Sequence, residues 1–86
     1  PDLNREMEVI EATLEPGAET SEEPLNHLGE ECTIVLQGEM YIKIGDQEYE
    51  LEKGDSIYYK ASLAHKIKSI GEVDLRFISA ITPPNF

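Results

Sequence analysis

From about residue 30 onward the apolar and polar residues of the chain alternate with a period of two. Thr33, Ile34, Val35 and Leu36 form a β-branched apolar run that stops at Gln37-Gly38, and Met40, Ile42 and Ile44 then alternate with Tyr41 and Lys43. That spacing predicts a strand with one buried face. Gly45-Asp46 is a tight hairpin connection; Tyr49 and Leu51 resume the alternation, and Lys53-Gly54-Asp55 makes the next turn. Three more strands are predicted over 56–60, 65–70 and 75–81, separated by residues 61–64 and by Gly71-Glu72. Residues 6–14 slip phase at Val9-Ile10 and are expected to form an extended arm or a bulged strand, ended by Pro16-Gly17. A polar loop containing Pro24 leads to His27, and Thr82-Pro83-Pro84 stops the last strand because proline cannot donate to a ladder. No window carries a helical stripe of useful length. Short strands with turns about every 8–12 residues predict an all-β sandwich or barrel.

The 86 residues hold one domain, with residues 1–15 as an N-terminal arm at an expected dimer interface and residues 16–86 as the barrel. A chain of this length buries only about 60–65% of the surface its unfolded form exposes. The lone Cys32 excludes an internal disulfide and a Cys-rich zinc site, so association into a homodimer is the expected source of further stability. No apolar run approaches the ~20 residues of a membrane span and no signal-peptide pattern is present, so the expected location is the cytoplasm. Pro1 is not an initiator methionine, and the expectation is a fragment of a longer protein.

A net charge of −11 argues against direct contact of this chain with nucleic acid, which requires clustered Lys and Arg. The acids are concentrated early: residues 1–31 carry ten against Arg5 alone, whereas residues 32–86 carry eight against six bases. Such a run is expected to be a solvated, solubilising face. A sharper alternative is an electrostatic lure for a metal or a cationic effector.

The chain has two histidines, His27 and His65. A single strand histidine is more often structural than a ligand, but Glu31 lies four residues beyond His27, an even offset that turns both side chains to one face of an extended segment. If that face is the interior, His65 on a neighbouring strand supplies a third group. Two imidazoles and a carboxylate with open positions suit Fe(II) and can hold Mn, Ni or Zn. Thr33, Val35, Tyr59 and Ile67 share the inward parity and are expected to wall the pocket.

The spacing Gly17, His27, Glu31, Gly38 resembles the first cupin motif, and Gly54 followed by His65 resembles the second. The resemblance implies a small double-stranded β-helix, or jelly-roll barrel, in which His27, Glu31 and His65 match three of the family's four metal ligands. The first family histidine falls on Leu25, and Lys60, Ser62 and Ser69 replace the proline, glycine and asparagine of the second motif. The alternative to a divalent metal is an apolar pocket floored by Leu25, in which His27, Glu31 and His65 hydrogen-bond an organic ligand. Two phrases, His27-Leu28-Gly29-Glu30-Glu31 before Val35-Leu36-Gln37-Gly38-Glu39, and the tail Ile81-Thr82-Pro83-Pro84-Asn85-Phe86, resemble the cupin sensor domains of helix-turn-helix regulators of the phage-repressor type. By that resemblance the chain is a non-enzymatic, dimeric effector domain that reaches DNA only through a helix-turn-helix domain absent from this sequence. The rival reading is a small metal-dependent cupin enzyme of the dioxygenase or isomerase type, with a storage or structural cupin a distant third.

The remaining candidates have structural expectations. Cys32 should be a small buried apolar residue. Tyr41, Tyr49 and Tyr58 should be core or dimer-interface rings, Arg76 should pair with a surface acid, and Lys66 and Lys68 should face water.

Overall fold

The computed structural model describes residues 7–20 and 29–82. The strands are β1 (Glu8–Leu14), β2 (Glu30–Gln37), β3 (Glu39–Ile44), β4 (Gln47–Glu52), β5 (Ser56–Lys60), β6 (His65–Ser69) and β7 (Leu75–Thr82). They form a four-stranded sheet in the order β1-β7-β2-β5 and a three-stranded sheet in the order β4-β3-β6, with every pairing antiparallel. The all-β expectation holds, and within the expected arm Glu8–Leu14 is a regular strand that pairs with β7.

The two sheets face each other through the parity that the sequence sets. Val35, Met40, Ile42, Ile44, Tyr59, Ile67, Leu75 and Phe77 make the buried core, drawn from β2, β3, β5, β6 and β7. Complete burial of a side chain such as Ile42 or Leu75 contributes about 1.5–3 kcal/mol. Gly38 carries the chain from the larger sheet to the smaller one. Its φ is +83°, and a Cβ there would lie 2.7 Å from the Asp74 carbonyl oxygen, so both conformation and space require glycine.

Some expectations are overturned. β4 does not bury a face: Tyr49 is exposed and Leu51 half-buried, because β4 is the edge of the smaller sheet. Of the two places expected for Tyr41 and Tyr58, core or dimer interface, the core is excluded; Tyr41 is half-buried with its hydroxyl donating to Glu48 at 2.7 Å, and Tyr58 is exposed. Cys32 is only half-buried, because its parity is opposite to that of Glu31 and points to the outer face. Lys66 and Lys68 lie on the outer face of β6 as expected but are half-buried, and Lys66 pairs with Glu19 rather than standing in open water. That pairing, chiefly the hydrogen bond from Lys66, holds the Glu19 carboxyl below its ordinary value. Arg76 meets Glu11 at 3.4 Å, as expected.

Candidate functional site

β2 runs through the larger sheet between β7 and β5, so each of its inward residues has a neighbour on both sides. Glu31 stands opposite Tyr59 of β5 and Ile81 of β7, and Thr33 opposite Ile57 and Ser79. From the smaller sheet, β6 turns His65 and Ile67 toward the same interior. Glu31, Thr33, Tyr59 and His65 thus come together, with Ile67 buried in the core beside them and Val35 one step further along β2. Leu25 and His27 lie outside the described residues. Among the described residues no three His, Cys, Asp or Glu side chains converge as a metal site would require.

The Glu31 carboxylate is buried, and its Oε1 lies 3.7 Å from His65 Nε2. That gap is too long for a direct hydrogen bond. The other imidazole nitrogen is committed: His65 Nδ1 is 2.9 Å from the Leu63 carbonyl oxygen, which can only accept. The Nδ1 proton therefore goes to Leu63, and in the neutral ring Nε2 carries the lone pair. A backbone carbonyl holding one imidazole nitrogen is the arrangement that fixes a metal-binding tautomer. Two donors at about 2.1 Å in tetrahedral or facial positions on one ion stand about 3.0–3.5 Å apart, so the Glu31–His65 separation of 3.7 Å is slightly wider than ligation requires. The donor types fit two positions of a His/carboxylate set, and a small side-chain shift would bring them to ligating distance.

Tyr59 closes the site from the β5 side. Its ring lies 5.2 Å from that of His65, tilted by 57°. Its hydroxyl is buried and has no hydrogen-bond partner among the described residues, with Glu31 and Thr33 as its polar neighbours. Burial, and then the nearby Glu31 charge, push the phenol well above its ordinary value, so it is a neutral donor at any physiological pH. Beneath it Thr33 Oγ1 and Ser79 Oγ are 2.8 Å apart. The arrangement presents a carboxylate, an imidazole lone pair and a hydroxyl to one small volume between the sheets.

Ser79 was missed from sequence, and Ser69 was noted only as a replacement in the second motif. Both are buried and both occupy inward positions on apolar-parity strands, Ser79 with Leu75, Phe77 and Ile81 and Ser69 with Ile67. A small polar residue in an inward register was the available signal. A wide depression of about 590 Å³ lies elsewhere, where Gly38, Lys53, Gly71 and Val73 meet, but its acids Glu39, Glu52 and Glu72 are exposed. It lacks the buried, converging groups of the barrel interior.

The comparisons with known proteins agree with this geometry. Residues 10–81 match the Cupin_2 (cupin domain) family model. The chain is 36% identical over 83 residues to the HTH-type transcriptional regulator PuuR of Escherichia coli, covering 96% of this chain and 44% of the regulator. It is therefore homologous to part of that regulator and spans less than half its length. A second relative, the uncharacterized protein SCO3923 of Streptomyces coelicolor, is 32% identical over 80 residues, which is 93% of this chain and 73% of that protein. The crystal structure of the Cupin_2 domain of an XRE family transcriptional regulator from Enterobacter cloacae superposes with a TM-score of 0.85 at 22% identity, over 98% of this chain and 88% of that one. With two antiparallel sheets, both glycine-bearing motifs and a family match across nearly its whole length, the chain belongs to the cupin family.

Proposed function

We propose that this cupin domain is the effector-binding part of a helix-turn-helix transcriptional regulator and works as a homodimer. The observation that carries the ligand site is the inward set Glu31, Tyr59 and His65, held by two different sheets. A ligand that touches β2, β5 and β6 together favours one spacing of the sheets over another, and only such unequal affinity for two states can pass a signal to an attached domain. The homology to a regulator, of which this chain spans under half, supports an attached DNA-reading module. The comparisons lend no support to the enzyme alternative. With no membrane-spanning helix among the described residues, a cytoplasmic location fits the regulator reading.

The buried carboxylate and the acidic chain favour a cationic effector, either a divalent metal (Zn, Fe, Mn or Ni) or an organic amine. A divalent ion would be held by Glu31 and His65, with His27 as the third donor, and would supply a positive charge bridging the two sheets. An amine would take Glu31 as its counter-charge and the lone pair of His65 Nε2 as an acceptor. Thr33, Val35 and Ile67 would form the wall of either pocket, with Leu25 as its floor.

Elemental analysis of the purified chain tests the choice. Near-stoichiometric divalent metal that His65→Ala releases establishes the metal; a metal-free chain whose melting temperature rises with an amine, and does not in Glu31→Gln, establishes the organic ligand. A melting temperature that responds to neither class overturns the effector site.

A further inference from the structure

The outer face of the smaller sheet carries a charge pattern that neither the core nor the barrel interior uses. Register sets Lys43 of β3 directly opposite Lys66 of β6, and Tyr41 directly opposite Lys68. All four side chains stand on the outer face, because Met40, Ile42 and Ile44 on β3 and His65, Ile67 and Ser69 on β6 take the inward positions. Opposed strand residues lie about 4.5–5.5 Å apart and alternate residues about 7 Å along a strand, so three lysines and one phenol start from the corners of a small rectangle. Three of the chain's seven basic residues are gathered there, on a chain whose net charge is −11. Like charges directly opposite each other destabilise a sheet, so stability alone would not select this placement.

The rectangle floors an open hollow of about 480 Å³, rimmed by Glu19 and Ile70. That volume lies within the range of small-molecule sites. Lysines are mostly exposed, yet Lys43, Lys66 and Lys68 are all half-buried, a burial that their apolar stems supply while the ammonium groups stay in water. One carboxylate already stands at the edge. Glu19 pairs with Lys66, and the hydrogen bond from Lys66, followed by the charges of Lys66 and Lys68, holds its carboxyl below the ordinary value. The strap that carries Glu19 is fixed to β6: the Gly17 N–H donates to the Ser69 carbonyl at 2.8 Å, and the Thr20 N–H to the Ile67 carbonyl at 2.9 Å. Lys43 and Lys68 form no ion pair among the described residues. The hollow therefore favours negative charge and retains two ammonium groups beyond the one that Glu19 engages. On the other side β4 sets a fence, with Glu48 in register with Lys43 and Glu50 with Tyr41. A long polyanion such as DNA would have to cross that acidic strand, whereas a compact one fits between it and the strap.

We propose that this hollow binds a small polyanion, a metabolite with at least two carboxylate or phosphate groups, between Lys43, Lys66 and Lys68. Lysine suits the task, since a compact charge with three donors on a flexible stem takes either kind of oxyanion. The site lies on the reverse of β6 from His65 and is independent of the effector reading of the barrel interior.

Titration of the purified chain with citrate and with pyrophosphate, at fixed ionic strength and followed by amide NMR, tests the site. At least one of the two is expected to saturate while shifting the amides of residues 41–43 and 66–68, and acetate to bind about tenfold more weakly. Lys43→Gln/Lys68→Gln should weaken binding about tenfold, with the rest of the spectrum unchanged, and Lys68→Gln alone about threefold, which keeps the test open if the double variant does not fold. Lys60→Gln, on the other sheet, should leave binding as it is. Saturation by citrate alone assigns a polycarboxylate, by pyrophosphate alone a phosphorylated ligand, and by both a site for either oxyanion. Shifts that never saturate, that the lysine variants retain, or that Lys60→Gln removes as well show only diffuse attraction to surface lysines and overturn the site.

Discussion

Thr33 Oγ1 and Ser79 Oγ lie 2.8 Å apart, in register across β2 and β7 and both fully buried, although 46 residues separate them in the chain. The two hydroxyls satisfy each other inside an otherwise apolar layer. Removing one leaves the other buried without that partner, so Thr33→Val or Ser79→Ala should each cost about 1–3 kcal/mol. The double variant removes both polar groups and should cost clearly less than the sum. Urea denaturation of the four proteins measures the coupling; strict additivity would show that the pair contributes nothing as a pair.

Gly38 and Gly54 both have positive φ, +83° and +93°, but their surroundings differ. At Gly54 nothing lies within 4 Å of an added Cβ, so Gly54→Ala should cost only the conformational strain, about 1–2 kcal/mol. At Gly38 the Cβ would also meet the Asp74 carbonyl oxygen at 2.7 Å, where backbone must move. Gly38→Ala should therefore be the more damaging by about 1 kcal/mol or more, with β2 and β7 loosened at that end. Equal losses at the two sites would mean that the β2–β3 corner relaxes freely.

The imidazole of His65 gives a spectroscopic prediction. Its Nδ1 faces the Leu63 carbonyl at 2.9 Å, so the neutral ring should carry its proton on Nδ1 and turn the Nε2 lone pair to the side of Glu31. Free histidine favours the other tautomer only weakly, and a single charge-free hydrogen bond of about 1 kcal/mol is enough to choose. Nitrogen-15 shifts in the long-range imidazole spectrum, recorded once the ring is neutral, report the site of the proton. A protonated Nε2 in that form would remove His65 from the donor set.

Most of this architecture was legible because strand parity is a local property. Glu31, Thr33 and Val35 on one strand, and His65 and Ile67 on another, point inward for the same period-two reason, and the turns at Gly38, Gly45 and Gly54 are marked by the residue type. What parity cannot give is a strand's neighbours. Tyr49 and Leu51 alternate as well as Met40 and Ile42 do, yet β4 is an edge strand and is left largely uncovered. The same blindness left Tyr41 and Tyr58 open between core and dimer interface and made Cys32 a buried residue, since nothing in a single strand says whether its second face is packed. The lysine hollow appears only when the register of β3 on β6 is known.

Tyr59 separates stability from function most cleanly. Its hydroxyl is buried with no hydrogen-bond partner among the described residues, so Tyr59→Phe removes a buried polar group while keeping the ring against His65. At pH 7 the variant should be as stable as the wild type or more stable by about 1 kcal/mol. Alkali should sharpen the difference. Burial raises the folded-state value of this phenol, whereas in the unfolded chain it ionises near pH 10. Above that pH the unfolded state releases the proton and the folded state keeps it, so the stability fully present below pH 10 declines as pH rises further. Tyr59→Phe should lose less stability than the wild type between about pH 10 and 11, while binding an effector that uses the hydroxyl less tightly. Denaturant midpoints at pH 7, 10 and 11 decide the matter: a variant that is destabilised at neutral pH, and falls in parallel with the wild type in alkali, would mean that the hydroxyl is satisfied within the fold and is not held ready for a ligand.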